Sequence, residues 1–233
     1  MTNIAIENTA DTSDLAARVH RGLAQVWIDF ESSLVQVPLV DRLMNGRFRS
    51  EDYQSLLLNL RQQVIEGSRW ISKAASNISE RHEELRSLFL KHAVAEHRDY
   101  RMLEENYVAA GGARADIELA RKNIGSEAFS GFMYHCAAQR DPIGLLGAMF
   151  IIEGLGERIA GPWSEKMAKQ LGLPEKAFSF FMHHAEHDGD HLEMFDRAVE
   201  LAAQDEAVAE DIIRHAKIVA RLYRLQLEEI NNV

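Results

Sequence analysis

Apolar residues recur at helical spacing along nearly the whole chain. After Ser50, for example, the apolar positions are three or four residues apart, which places them on one face of a helix. No run of alternating apolar and polar residues bounded by turn signals indicates a strand, and the 233 residues include only four prolines. The pattern predicts an all-α protein.

Capping and helix-breaking residues divide this pattern into seven or more helices. We expect a loose tail over residues 1–12, a first helix capped by Ser13 or Asp14, and a helix that begins at Asp141-Pro142 and breaks at Pro162. No repeat or Pro/Gly/Ser-rich linker occurs, so residues 1–233 are predicted to form one domain. The other predicted helices cover about 38–45, 50–77, 80–110, 116–123, 126–139, 175–203 and 206–230.

The late helix carries polar residues on a face that is otherwise apolar. His184, Asp188 and His191 recur at i, i+4 and i+7, and the same stripe is apolar before and after them. Burying two imidazoles and a carboxylate without partners is costly. Imidazole and carboxylate ligands suit iron, manganese or zinc, so this helix is predicted to bind a metal.

A second helix contains one isolated carboxylate. Glu153 is the only charged residue over positions 143–156, which are otherwise apolar or glycine. Such a carboxylate has to be paired, protonated or coordinated to a metal. The alternative to a metal ligand is a buried ion pair with Arg61, Arg69 or Arg158.

The predicted helix over 80–110 contains a third set of candidate metal ligands. His92, Glu96 and Asp99 fall within its apolar stripe at 100° per residue, whereas His97 points away from it. The alternative is a ladder of ion pairs on an exposed face, which is common in helices rich in Glu and Arg. Because these three residues lie within the apolar stripe, we favour their interpretation as metal ligands.

Together the three helices predict an inward-facing set of imidazoles and carboxylates. Helical bundles build dinuclear metal sites from such residues on facing helices, and a purely structural polar core is the alternative. The predicted metal ligands are His92, Glu96, Asp99, Glu153, His184, Asp188 and His191.

Composition limits the possible partners and location. The formal net charge of −10 argues against binding to nucleic acid or to an anionic membrane surface. One cysteine, Cys136, excludes an internal disulfide and fits a reducing compartment. The polar, acidic N-terminus does not have the features of a signal peptide, and no apolar run is long enough to span a membrane. We therefore expect a cytoplasmic protein.

The motif His184-x-x-x-Asp188-x-x-His191, with Glu153 about thirty residues upstream, resembles the haem-oxygenase-like di-iron oxidases and oxygenases. This superfamily includes the chlamydial death-domain-associating protein. Its fold is a bundle of seven to eight helices, shared with haem oxygenase, the TenA thiaminases and pyrroloquinoline-quinone synthase. The resemblance extends from the helix after Ser50 to about Ala203 and implies this bundle here.

The resemblance assigns iron ligands on each helix. Glu153 matches the family's mid-chain glutamate, the late triad matches its late ligands, and Glu96 matches a glutamate of the earlier helix. On that earlier helix the chain departs from the family, because Asp99 stands where histidine is usual and His92 where some members have glutamate. Either histidine and carboxylate are exchanged or His97 substitutes, so one ion and two ions both remain open.

The function implied by the resemblance is oxidation of a small metabolite by O2 at non-haem iron, with manganese and zinc as other possible metals. If the substrate carries a carboxylate, Arg61, Arg69 and Arg158 are the candidates to bind it. Homodimerisation is expected only by analogy with the fold.

Two alternatives to a non-haem iron enzyme remain. One is a metal-free enzyme of the TenA or quinone-synthase kind, although Cys136 lies in Tyr-His-Cys-Ala-Ala and not in the Pro-Cys-x-Trp-like segment of TenA enzymes. Haem oxygenase needs an axial histidine in its first helix, for which His20 is available, but that enzyme does not explain the late triad. The other alternative is a non-catalytic helical interaction protein with a vestigial metal site.

Overall fold

The structure is a computed structural model, which describes the backbone of residues 3–203 and 205–231 and the side chains of residues 14–186, 194–203 and 205–231. The described residues contain helices and no strand, which confirms the all-α prediction. The helices are α1 (Asn3–Leu34), α2 (Pro38–Met44), α3 (Ser50–Asn77), α4 (Glu83–Glu96), α5 (Tyr100–Ala109), α6 (Arg114–Leu119), α7 (Ile124–Ala137), α8 (Leu145–Leu155), α9 (Gly161–Leu171), α10 (Ser179–Ala202) and α11 (Glu206–Glu228). Short 3₁₀ helices cover Glu80–His82 and Glu175–Phe178, and a π-helical turn covers Gly156–Ala160.

The predicted helix over 80–110 is broken, which corrects the sequence prediction. Helix α4 ends at Glu96, a turn covers residues 97–99, and α5 begins at Tyr100. In the turn, Nδ1 of His97 donates to the carbonyl oxygen of Val94 at 2.6 Å. Neither proline nor glycine occurs at the break, so the sequence contains none of the usual signals for it.

Two other helix boundaries also differ from the prediction. Helix α1 begins at Asn3, well before Ser13, because neither proline nor glycine interrupts residues 3–13. Helix α8 begins at Leu145, because Asp141 has a φ of 48° and its carboxylate accepts the backbone N–H of Ser79 at 2.6 Å.

Pro162 does not break the helical path, although the sequence predicted that it would. Helix α8 continues through the π turn Gly156–Ala160 into α9, and Pro162 lies in the first turn of α9. Proline has no N–H group to donate, and here it follows directly on the π turn, where the hydrogen-bond pattern of the helix changes.

Helix α8 runs through the centre of the bundle. Every residue from Leu145 to Ile151 is buried, which agrees with a helix that is apolar on all sides. Its contact with α11 depends on Gly147, where a Cβ atom would lie 1.8 Å from the carbonyl oxygen of Ile212. Despite the apolar sequence of α8, none of the described helices is both long enough and apolar enough to cross a membrane.

Candidate metal centre

Helices α4, α8 and α10, with the turn that follows α4, bring five of the predicted ligands together. Nε2 of His92 lies 3.1 Å from Oε1 of Glu153, and Nε2 of His184 lies 3.6 Å from Oδ2 of Asp99. Two groups of three can be recognised, each with its candidate ligand atoms within 4.8 Å of one another. The first group is His92, Glu96 and Glu153, and the second is Glu96, Asp99 and His184.

Glu96 belongs to both groups, and its surroundings disfavour its charged form. Burial, together with the neighbouring carboxylates of Glu153 and Asp99, raises the pKa of Glu96 to about 7, although His92 and His184 oppose the shift. A cation at the centre of the two groups would have the opposite effect and favour ionised Glu96.

The turn after α4 determines which residues reach the centre. Although the helix ends at Glu96, Asp99 still lies beside Glu96 and His184. His92 is buried beside Glu153, whereas His97 is exposed and bonds to the backbone of its own turn. The geometry therefore favours His92 and Asp99 over His97 as ligands from this segment.

The side chains of Asp188 and His191 lie outside the described residues. The backbone of α10 is helical throughout Ser179–Ala202, so both residues keep their helical spacing from His184. Their role as ligands stays a prediction.

A cavity of about 100 Å³ adjoins the two groups. Glu96, Glu153 and His184 line it, and the π turn contributes part of its wall, as is frequent for such turns at functional sites. Apolar and aromatic side chains form most of the remaining lining, including Leu56, Leu60, Val64, Ile152, Trp163, Phe180, Phe181 and Tyr223. The cavity has room for a small, mainly apolar molecule beside the candidate ligands.

The three arginines proposed for substrate binding lie elsewhere, which corrects that expectation. Arg61 donates from Nε (3.1 Å) and Nη2 (2.8 Å) to one oxygen of the buried Glu104. Arg69 is largely exposed, and Arg158 packs over the ring of Trp27, 5.0 Å from its centroid. None of the three arginines lines the cavity.

The cavity lining also contains neither the candidate cysteine for TenA-like chemistry nor the candidate axial histidine for haem binding. Cys136 is buried, and this burial raises the pKa of its thiol, which disfavours a nucleophilic thiolate. His20 is part-exposed and lies 3.7 Å from Asp196. Neither Cys136 nor His20 lines the cavity.

The cavity lining also includes a buried side-chain amide that was not among the predicted site residues. Gln63, on α3, lines the cavity together with Glu96 and Glu153. The sequence could have indicated Gln63 in the same way as the candidate ligands. It is a polar residue on the core side of a helix, next to Leu60 and Val64.

The residues present fit iron. Three carboxylates and two imidazoles meet in the interior, while no lysine or arginine is among the described residues that line the cavity. Divalent cations would offset the cost of burying these carboxylates together. Mixed nitrogen and oxygen ligands of this kind suit iron, and also manganese and zinc.

Comparison with known proteins agrees with this chemistry. Residues 74–224, more than half of the chain, match the family model described as iron-containing redox enzyme. No curated protein matches the sequence.

Solved structures with low sequence identity share the fold. A domain of unknown function from Shewanella denitrificans, with a heme oxygenase-like fold, superposes with a TM-score of 0.81 at 16% identity over 89% of each chain. A TenA homologue from Pseudomonas syringae gives 0.74 at 13% identity, over 91% of this chain and 92% of its own. Heme oxygenase-1 from Synechocystis, in complex with heme, gives 0.58 at 14% identity, over 93% and 91%.

At these identities the structural matches establish the fold alone, whereas the sequence match establishes the family. The chain has the haem-oxygenase-like fold and belongs to the family of iron-containing redox enzymes.

Proposed function

We propose that this protein is a non-haem iron oxidase or oxygenase that holds two iron ions and uses O2 to oxidise a small molecule. The observation that carries the proposal is the pair of three-residue groups that share Glu96 and open onto an apolar cavity. A purely structural polar core would need neither two groups of side chains spaced to bind a metal ion nor a cavity beside them.

Each helix has a separate part in holding the metal. His92 and Glu153 would hold one ion, Asp99 and His184 the other, and Glu96 would be shared between them. Asp188 and His191 are proposed as further ligands on α10, from their sequence spacing. Ferrous iron bound here would supply the electrons for the reduction of O2.

The apolar cavity walls would limit the access of water to this chemistry. Phe180 and Phe181 precede His184 on α10, and Phe180 packs against the His184 imidazole with 4.4 Å between ring centroids. Trp163 closes another part of the wall. These aromatic side chains would hold the imidazole in position and keep an apolar substrate beside the metal.

The test is anaerobic reconstitution of the purified protein with Fe(II), followed by removal of free metal and exposure to O2. We expect about two iron ions per chain to be retained, and O2 to be consumed as the bound iron is oxidised. The His184→Ala variant should retain fewer ions, because His184 contributes a ligand atom to the second group. The exposed His97 offers a matched control, since His97→Ala should retain as much iron as the parent protein.

Two results would contradict the proposal. Oxygen consumption that is insensitive to iron chelators would favour metal-free chemistry of the quinone-synthase kind. Absence of retained iron under all reconstitution conditions, with no O2 consumed, would favour a non-catalytic interaction protein.

A further inference from the structure

A chain of buried polar side chains leads through the apolar core to the cavity. It begins at the start of α7, with the N-cap residue Asn123 and with Ser126, passes through Gln226 on α11, and ends at Gln63 on α3. Gln226 has no exposed surface, and Gln63 is only 7% exposed. Buried amides and hydroxyls are costly unless they are hydrogen-bonded, so the position of this network needs a reason.

The network holds Gln226 firmly. The carbonyl oxygen of Gln226 accepts from Nδ2 of Asn123 at 2.9 Å, and its side-chain oxygen accepts from the hydroxyl of Ser126 at 3.0 Å. The backbone of α11 can approach this closely because residue 125 is glycine, where a Cβ atom would lie 2.4 Å from the Gln226 nitrogen. Gln226 is thereby a fixed donor.

Gln226 in turn orients the amide of Gln63. Nε2 of Gln226 donates to Oε1 of Gln63 at 2.7 Å, which occupies the oxygen of that amide. Gln63 lines the cavity, and its own Nε2 makes no hydrogen bond to the described residues. A donor held in this way is ready for an acceptor inside the cavity.

The charges around the cavity indicate what kind of acceptor fits. Glu96 and Glu153 line it, and no lysine or arginine does. The side chains outside the described residues, at 1–13, 187–193, 204 and 232–233, include neither residue type, so they add no basic side chain. An anionic group would meet carboxylates, with no protein cation to pair with it. Two bound divalent ions would not change this, because their charge would already be balanced by the carboxylates of Glu96, Asp99, Glu153 and the proposed ligand Asp188.

We propose that Gln63 orients the substrate by donating a hydrogen bond from Nε2 to an oxygen atom of a small, uncharged and otherwise apolar molecule, such as a ketone or an alcohol. That this molecule is a substrate rests on the proposed function, whereas its binding to Gln63 does not. A ligand without an acceptor would leave the Gln63 donor unpaired in the core. The site should therefore bind a ligand with an oxygen acceptor more tightly than a ligand of similar shape without one.

The experiment compares cyclohexanone, cyclohexane and hexanoate as probes in NMR titrations of the full chain, as purified and with zinc added. We expect cyclohexanone to bind more tightly than the other two. Gln63→Leu should weaken cyclohexanone binding about three- to tenfold, the usual value of one neutral hydrogen bond, and leave cyclohexane binding unchanged. The control is Gln62→Leu, because Gln62 is equally buried on the same helix but does not line the cavity.

A second measurement does not depend on the stability of a variant. In the parent protein the side-chain amide resonance of Gln63 should shift on addition of cyclohexanone and not of cyclohexane. The proposal is overturned if this resonance does not respond to the ketone, if Gln63→Leu weakens both uncharged probes equally, or if hexanoate binds best. Because binding is measured without turnover, a protein that passes these tests but retains no iron would refute the proposed function alone.

Discussion

Glu96→Ala is expected to lower the retained iron from about two ions per chain to fewer than one, and to reduce iron-dependent O2 uptake at least about 100-fold. Glu96 is the residue common to both candidate groups, so its loss removes a ligand from each. Loss of a residue that merely supports a metal ligand already costs about 10- to 100-fold in affinity or activity, and a shared ligand should cost more. Iron analysis after gel filtration and an oxygen electrode provide the two measurements.

The metal-free Glu96→Ala protein should remain folded, because burial disfavours the charged form of Glu96 and its removal relieves that cost. Glu83→Ala is the matched control, since Glu83 is exposed on the same helix and belongs to neither group. Normal iron retention in Glu96→Ala, or an equal loss in Glu83→Ala, would contradict the assignment of Glu96.

Gly147→Ala is expected to destabilise the protein by about 3 kcal/mol or more, the upper part of the range for overpacking a core. A Cβ atom at residue 147 would lie 1.8 Å from the carbonyl oxygen of Ile212, and the obstacle is backbone, which cannot move aside as a side chain can. Helices α8 and α11 would have to separate, and α8 carries Glu153. The free energy of unfolding, measured with urea, gives the size of the effect.

Gly131→Ala is the control for Gly147→Ala. Gly131 is exposed within α7, and a Cβ atom there would have no neighbour within 4 Å. Alanine has the higher helix propensity, so this variant should be unchanged or more stable by up to about 1 kcal/mol. Equal destabilisation of the two variants would show that close packing of α8 on α11 is not the cause.

The sequence predicted the fold well where local signals agree with the tertiary structure. Helices α2 and α3 begin at Pro38 and Ser50, where the prediction placed them. Proline favours the first turn of α2, whereas the N-cap of α3 is Arg49, whose backbone N–H donates to the carboxylate of Asp52 at 3.0 Å. The turn at residues 97–99 was missed because no residue type there signals a break, and the predicted break at Pro162 was wrong because the π turn lies before it.

The candidate site was predictable in part, for reasons that differ between residues. Glu153 was conspicuous because no other charge occurs in its helix, and the structure places it beside His92. Asp99 reaches the site through a turn and not by the helical geometry used to select it. The placement of Arg61 could not be predicted, because its partner Glu104 lies on another helix and one sequence does not reveal such pairs.

The two-iron site can be tested by anomalous diffraction at the iron edge, from crystals grown anaerobically with Fe(II). We expect two iron peaks, one within bonding distance of His92 and Glu153, the other within bonding distance of Asp99 and His184, and both next to Glu96. Absence of any peak at these five residues, or iron bound only elsewhere, would show that they do not form an iron site.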